Sequence, residues 1–253
     1  MAEAAPLAGL GLAALLLLAF AHLAGEVAEG ETTGFDRAIL LALRTAGDPT
    51  DPIGPRWFEE AMRDVTALGG FTILGLLTLA SALFLAMTDK RRAALFLLAA
   101  VTSGMLLSTL LKMAFQRPRP DLVPHATEVF TASFPSGHAM LSAVVYLTLG
   151  ALLARLQAGR AAKAFLIGLA LAVTLLVGSS RVYLGVHWPT DVIAGWSVGA
   201  AWASLCWFVE LRLQARGQVE QADPPALGEE AHPPEKAHPP EKAHPPEKAH
   251  AAG

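Results

Sequence analysis

The sequence predicts an all-α, polytopic membrane bundle of about six transmembrane helices, with interfacial helices in the first external segment. Three observations predict it. Of the 253 residues, 53% are hydrophobic, against roughly 45–50% in ordinary soluble domains even with glycine counted, and the mean hydropathy is +0.45. Six apolar stretches approach the roughly 20 residues needed to cross about 30 Å of hydrocarbon. Charges and prolines gather between these stretches rather than along them.

The first stretch runs from Pro6 to Leu23. Glu3 precedes it and no Lys or Arg does, so it lacks the basic start of a signal peptide and reads as a membrane helix. From Gly25 to Leu68 the chain carries four arginines against nine acids. Phe35, Ile39 and Leu43 recur at helical spacing beside Asp36 and Arg44, and Phe58, Met62 and Val65 do so beside Arg56, Glu59, Glu60 and Arg63. Pro49, Pro52 and Pro55 separate the two stripes, which read as interfacial lid or packing helices. Amphipathicity alone names no ligand, and no site residue is drawn from this segment.

Further spans follow over Gly69–Thr88, over Ala93–Leu111 where Lys112 ends the apolar run, from Ser136 to Ala154, over Ala164–Ser180, and from about Pro189 to Val209. The chain therefore divides into residues 1–68, the first span and the external amphipathic segment; 69–216, a core of five spans; and 217–253, a tail. In that tail Ala-His-Pro-Pro-Glu-Lys repeats three times from Ala231 to Lys248. Proline pairs bar helix and sheet, and the polar remainder buries too little surface to offset ordering, so a solvated tail is expected. Its histidines, His232, His238, His244 and His250, preform no metal geometry.

Basic residues orient the bundle. Lys90, Arg91 and Arg92 lie in one turn, Arg155, Arg160 and Lys163 in another, and Arg212 and Arg216 follow the last span. These ends are expected in the cytoplasm together with both termini, as in a bacterial inner-membrane protein whose polar clusters face the periplasm or exterior. The net charge of -3 gives nucleic acid no electrostatic footing. A lone cysteine, Cys206, allows neither an internal disulfide nor a cysteine-based metal site.

Three polar clusters interrupt the apolar core: Lys112 through Arg119-Pro120, Pro135-Ser136-Gly137-His138, and Ser180-Arg181 with His187 and Asp191. Ionisable groups at span ends are costly and so mark function. Lys112, Arg119 and Arg181 come from separate segments yet should reach one face, where three cations repel unless an anion joins them. Phosphate fits, since the arginine fork matches its oxygens and lysine adds a compact charge. Ser136 falls at a helix start whose free N–H groups favour an anion, and Gly137 lets the backbone approach. His187 has Asp191 four residues on, a carboxylate able to hold one ring nitrogen and leave the other as a nucleophile. His138 has no such acid nearby and suits proton donation to a leaving oxygen.

The spacings, Lys112 with six residues before Arg119-Pro120, then Pro135-Ser136-Gly137-His138, then Ser180-Arg181 with five residues before His187 and three before Asp191, resemble the type 2 phosphatidic acid phosphatase superfamily. That family shares its pocket with vanadium haloperoxidases. Arg117-Pro118 is a second Arg-Pro pair, but only Arg119 stands at the family's distance from Lys112. The resemblance implies a metal-independent, cofactor-free lipid phosphate phosphatase. In it His187 forms a phosphohistidine, Asp191 orients His187, and His138 acts as the acid. Lys112, Arg119, Arg181, Ser136 and Gly137 would bind the phosphoryl group. A membrane lipid phosphate in the bilayer is the implied partner. Prenyl diphosphate comes first, then phosphatidate, phosphatidylglycerol phosphate or a lipid A phosphate. Transfer of the phosphate to another acceptor, and a non-hydrolytic lipid phosphate binder or transporter, are the alternatives.

Overall fold

The computed structural model describes residues 4–122 and 131–220. Residues 221–253 of the expected solvated tail, with its four histidines, lie outside those residues; at the start of the expected tail Val219 is instead buried against the core and Glu220 accepts from the Arg92 and Ala93 N–H groups. Helices α1 (Ala4–Glu29), α2 (Thr33–Ala42) and α3 (Arg56–Ala67) come first, with a short antiparallel ribbon, β1 (Arg44–Thr45) and β2 (Asp48–Pro52), between α2 and α3. Then follow α4 (Phe71–Met87), α5 (Arg91–Phe115), α6 (Gly137–Arg155), α7 (Arg160–Tyr183) and α8 (Pro189–Ala215).

Five helices, α1, α5, α6, α7 and α8, are long and apolar enough to cross a bilayer. A sixth candidate is compound, a broken span or a re-entrant loop. At 17 residues, α4 reaches only about 25 Å at 1.5 Å per residue, and it qualifies together with α3, across a bend of 47°. The chain is thus an integral multi-pass membrane protein of mostly helical architecture.

Helix α6 sits at the centre, packed on α7 and α8; α1 lies along α8, α4 along α5, and α3 on α7. Small residues set these distances, as expected where lipid supplies no hydrophobic drive between helices. A Cβ on Gly199 would stand 2.4 Å from the Met140 carbonyl of α6, and one on Gly150 would stand 2.7 Å from Ala170 of α7. Apolar side chains of α4, α5, α6 and α8, among them Leu74, Leu97, Val144 and Trp202, form the largest core cluster. Their outer neighbours stay exposed along α1, α4 and α7, for example Leu18, Leu83 and Phe165.

Two residues expected on the polar, outward side of the amphipathic segment are buried instead: Asp36 at 0% exposure and Arg44 at 7%. The reason is docking against the bundle. Asp36 and Leu40, one turn apart on α2, turn together toward α8, where Leu40 joins Val192 and Trp188 in an apolar cluster. Arg44 donates through Nη1 to the Leu43 and Tyr183 carbonyls at 2.9 Å. The two apolar stripes do meet: Phe35 and Ile39 of α2 and Phe58 and Met62 of α3 line one side of a cavity of about 480 Å³, with α7 and α8 on the other.

Candidate active site

The last turn of α5 carries Lys112, whose Nζ donates to the Ala132 carbonyl at 2.7 Å. Gln116, left-handed at φ 46°, ends the helix, and the two Arg-Pro pairs that follow bar any continuation. Arg119 donates through Nε to the Thr131 carbonyl at 3.0 Å and through Nη1 to the Val186 carbonyl at 2.7 Å. That same Nη1 lies 3.1 Å from His187 Nε2.

The start of α6 supplies the second cluster. Ser136 is the N-cap, in extended conformation, and its backbone N–H donates to the Asp191 carbonyl at 2.9 Å, which ties α6 to α8. The first-turn N–H groups of a helix have no partner within it. Gly137 lets this helix end press on α5: a Cβ there would sit 3.5 Å from Lys112 Cε and 3.6 Å from Ser108 Oγ. Ser136 Oγ is buried without a hydrogen-bond partner among the described residues.

From the end of α7, Arg181 is 5% exposed and donates through Nη1 to Thr66 Oγ1 of α3 at 2.9 Å, while its buried Nε has no partner among the described residues. Gly185, at φ 73°, turns the chain toward α8. His187 follows at 2% exposure and Trp188 caps α8, with Pro189 in the first turn. His187 Nδ1 lies 3.3 Å from Asp191 Oδ2. With Nδ1–H on the carboxylate, Nε2 keeps its lone pair and accepts from Arg119. Burial pulls the His187 pKa down to about 3; the Asp191 contact opposes this, and the Arg119 and Arg181 charges add to it. The ring is therefore neutral at ordinary pH. Arg119 is itself lowered by burial, with Asp191 opposing.

Lys112, Arg119, Gly137, His138, Arg181 and His187 all border one cavity of about 370 Å³, whose lining also takes apolar side chains from α4 and α5, Phe71, Met105 and Met113. Two larger cavities, of about 490 and 480 Å³, border none of these six residues and have mostly apolar walls. Ser136 and Asp191 stand behind the cavity, both at 0% exposure. Lys112, Arg119 and Arg181 have no carboxylate partner among the described residues. Five residues that the sequence reading did not place at the site belong to this assembly: Ser133, Arg117, Thr190, Asp36 and Thr66. Ser133 Oγ donates to Asp191 Oδ2. Arg117, set aside on spacing, donates to Asp191 Oδ1 at 2.6 Å; the doubled Arg-Pro pair was its one visible signal.

The PAP2 superfamily pattern matches residues 93–214. Phosphatidylglycerophosphatase B of Bacillus subtilis is 34% identical over 185 residues, covering 73% of this chain and 87% of that protein. The chain belongs to the PAP2 superfamily. An undecaprenyl-diphosphatase of Sulfolobus acidocaldarius is 36% identical over 109 residues, 43% of this chain and 45% of that one. A lipid A 1-phosphatase of Rhizobium johnstonii is 36% identical over 114 residues, 42% of each chain. The crystal structure of a transmembrane PAP2-type phosphatidylglycerolphosphate phosphatase from Bacillus subtilis superposes with a TM-score of 0.70 at 30% identity, covering 79% of this chain and 96% of that one. The chain is accordingly an enzyme, a PAP2-type lipid phosphatase. Among the described residues, the 93–214 match takes in Lys112, Arg117, Arg119 and both histidines but leaves α2, and Asp36 with it, outside.

Proposed function

We propose that this PAP2 protein removes the terminal phosphate of a membrane lipid through a phosphohistidine on His187. The observation that carries the reading is the placement of His187 Nε2 beside Arg119, in the cavity that Lys112, Arg181 and the first turn of α6 also border. In the first step the Nε2 lone pair attacks phosphorus and a P–N bond forms as the P–O bond to the lipid breaks. His138 gives its proton to the departing oxygen. The proton stays on Nδ1, donated to Asp191, whose carboxylate stabilises the ring as it becomes cationic. Lys112, Arg119, Arg181 and the Gly137 backbone bear the phosphoryl charge. In the second step water attacks phosphorus, His138 takes up its proton, and phosphate leaves as Nε2 recovers its lone pair.

The mixed lining of the cavity supports a lipid: three cations together with the apolar side chains of Phe71, Met105 and Met113. Prenyl diphosphate, favoured from the sequence, now stands beside phosphatidylglycerophosphate, since the relatives named above act by name on the one or the other. Orientation belongs to the same proposal. The turns holding Lys90–Arg92 and Arg160–Lys163 lie at the ends of α4–α5 and α6–α7 away from the site, and favour a cytoplasmic face there with the site outside.

The test is phosphate release from these two lipids, phosphatidate and a lipid A phosphate, by detergent-purified wild type and His187→Ala. Release that persists in EDTA, stops with vanadate and is lost in His187→Ala is expected. Turnover retained in His187→Ala would overturn the phosphohistidine route, and phosphate recovered on a second lipid in place of free phosphate would make the enzyme a transferase.

A further inference from the structure

Behind the cavity a buried polar chain runs from Asp191 to residues that no step of the proposed reaction uses. The carboxylate of Asp191 is fully buried and engaged on both oxygens. Oδ2 accepts from the Ser133 hydroxyl and from the Trp188 N–H at 2.9 Å, and faces His187 Nδ1 at 3.3 Å. Oδ1 accepts from Arg117 Nη1 at 2.6 Å. The guanidinium then spans to α2: Nη2 donates to Asp36 Oδ2 at 2.7 Å, and Nη1 also reaches Thr190 Oγ1 at 2.8 Å. Asp36 is held in turn, because Oδ1 accepts the Thr190 N–H at 2.9 Å and Oδ2 the Thr190 hydroxyl at 2.6 Å. Trp188 closes the cluster, with the Arg117 guanidinium 5.6 Å from its ring centre.

Simple packing is a poor account of this chain. Leu40 and its apolar neighbours already dock α2 on α8, and taking two carboxylates and a guanidinium out of water costs more than an apolar contact of the same volume. Ser133 and the Trp188 N–H hold the oxygen of Asp191 that faces His187, and Arg117, itself held by Asp36 and Thr190, grips the oxygen that does not. A carboxylate gripped on a single oxygen can swing about its Cβ–Cγ bond; one gripped on both has a fixed plane. We infer that Asp36 and Arg117 are positioning residues, a relay from α2 that sets the plane of Asp191 and through it the tautomer and direction of the His187 ring. Arginine is required at the middle because its planar fork bridges two carboxylates at once, which a lysine ammonium on its flexible stem does not.

The inference rests on His187 as nucleophile, and its test separates the two. Arg117→Lys keeps the buried positive charge, so the carboxylates stay compensated and the protein is expected to elute as the wild type does in the same detergent. Asp36→Asn removes the anion at the other end. Each variant should lose about 10- to 100-fold in kcat, the scale of outer-shell partners that orient a reactive group, with KM within about two-fold because neither residue borders the cavity. The double variant should lose no more than the worse single one, since the residues act as one unit. The readout that a packing role would not move is the imidazole itself. In 15N-histidine-labelled enzyme, with the His187 signal assigned by its absence in His187→Ala, wild type should hold the Nδ1–H tautomer and both variants should mix in Nε2–H. Wild-type kcat in folded Arg117→Lys, or a pure Nδ1–H tautomer in both variants with only the thermal midpoint lowered, overturns the relay. If Asp36→Asn fails to fold, Arg117→Lys decides alone. Activity surviving in His187→Ala would instead remove the nucleophile, whatever the relay does.

Discussion

Gly195 of α8 offers a sharp test of how the two halves of the site are held in register. It lies one turn beyond Asp191 and faces the start of α6. A Cβ there would stand 2.7 Å from the Ser136 carbonyl, 3.0 Å from Ala139 Cβ and 3.2 Å from the Met140 backbone nitrogen. The first contact is about 0.7 Å short of the near edge of ordinary packing at roughly 3.4 Å. None of the three neighbours is the free end of a flexible side chain. The Ser136 carbonyl accepts from the Met140 N–H at 3.0 Å, and its own N–H is bound to the Asp191 carbonyl. The strain of Gly195→Ala must therefore move α8 from α6 as bodies, at a cost of about 1–3 kcal/mol in stability. The movement parts the element bearing Asp191 from the one bearing Gly137 and His138. A displacement of about 1 Å at reacting groups costs on the order of 100-fold, so the smaller shift here predicts a kcat loss of about 10- to 100-fold. The assay is phosphate release alongside a thermal midpoint in one detergent. Gly168→Ala on α7 and Gly75→Ala on α4 serve as controls, since nothing lies within 4 Å of a Cβ at either; each should be neutral or gain up to about 1 kcal/mol from helix propensity. A Gly195→Ala enzyme with wild-type kcat and midpoint would refute the reasoning.

Two further outcomes are expected. On the proposed reaction the attacking His187 must be neutral, and burial holds its pKa at about 3 rather than the usual 6.5; the active form is therefore present above the lowered pKa and lost only as pH falls through it. The acid limb of kcat/KM should lie below about pH 5, and a limb near the ordinary histidine value would contradict this burial. Gly69, in the bend between α3 and α4, would bring a Cβ to 2.3 Å from Val177 Cγ1 and 3.3 Å from His138 Cδ2. Gly69→Ala should lower kcat, and Val177→Ala in the same chain should restore part of it, because the methyl that blocks the new Cβ is removed; no rescue would place the fault elsewhere.

The spans were legible because the bilayer makes length and apolarity an almost sufficient signal, and the motif residues because charge in such sequence is rare. Lys112, Arg119, Arg181, His138 and His187 stand out for that reason, and the structure gathers all five at one cavity. What escaped was partnership across distance. Asp36 lies 155 positions before Asp191, and a stripe of Phe35, Ile39 and Leu43 reads as an interfacial face with Asp36 turned to water. Only docking on α8 reveals that Asp36 and Leu40 share the inward side. Arg117 and Arg119 are indistinguishable in chemistry and two residues apart, so spacing could rank them but could not say that the other guards the far side of Asp191. The bend joining α3 and α4 escaped for a different reason: α3 is too polar to register as span, and α4 alone looks almost long enough.

The three cations at the cavity bear on what leaves the enzyme as much as on what enters. Lys112, Arg119 and Arg181 form no ion pair among the described residues, the charge of Asp191 behind the cavity offsets their mutual repulsion only in part, and any phosphate dianion relieves the rest. Free phosphate and a lipid headgroup offer those charges the same oxygens, so binding energy at the cations is shared by reactant and product and contributes nothing to telling them apart. On the proposed reaction discrimination falls to Phe71, Met105 and Met113 of the lining, whose apolar side chains can pack on a tail and offer nothing to an inorganic ion. On that reading, the uncharged side chains of the cavity lining decide which molecules are worth holding.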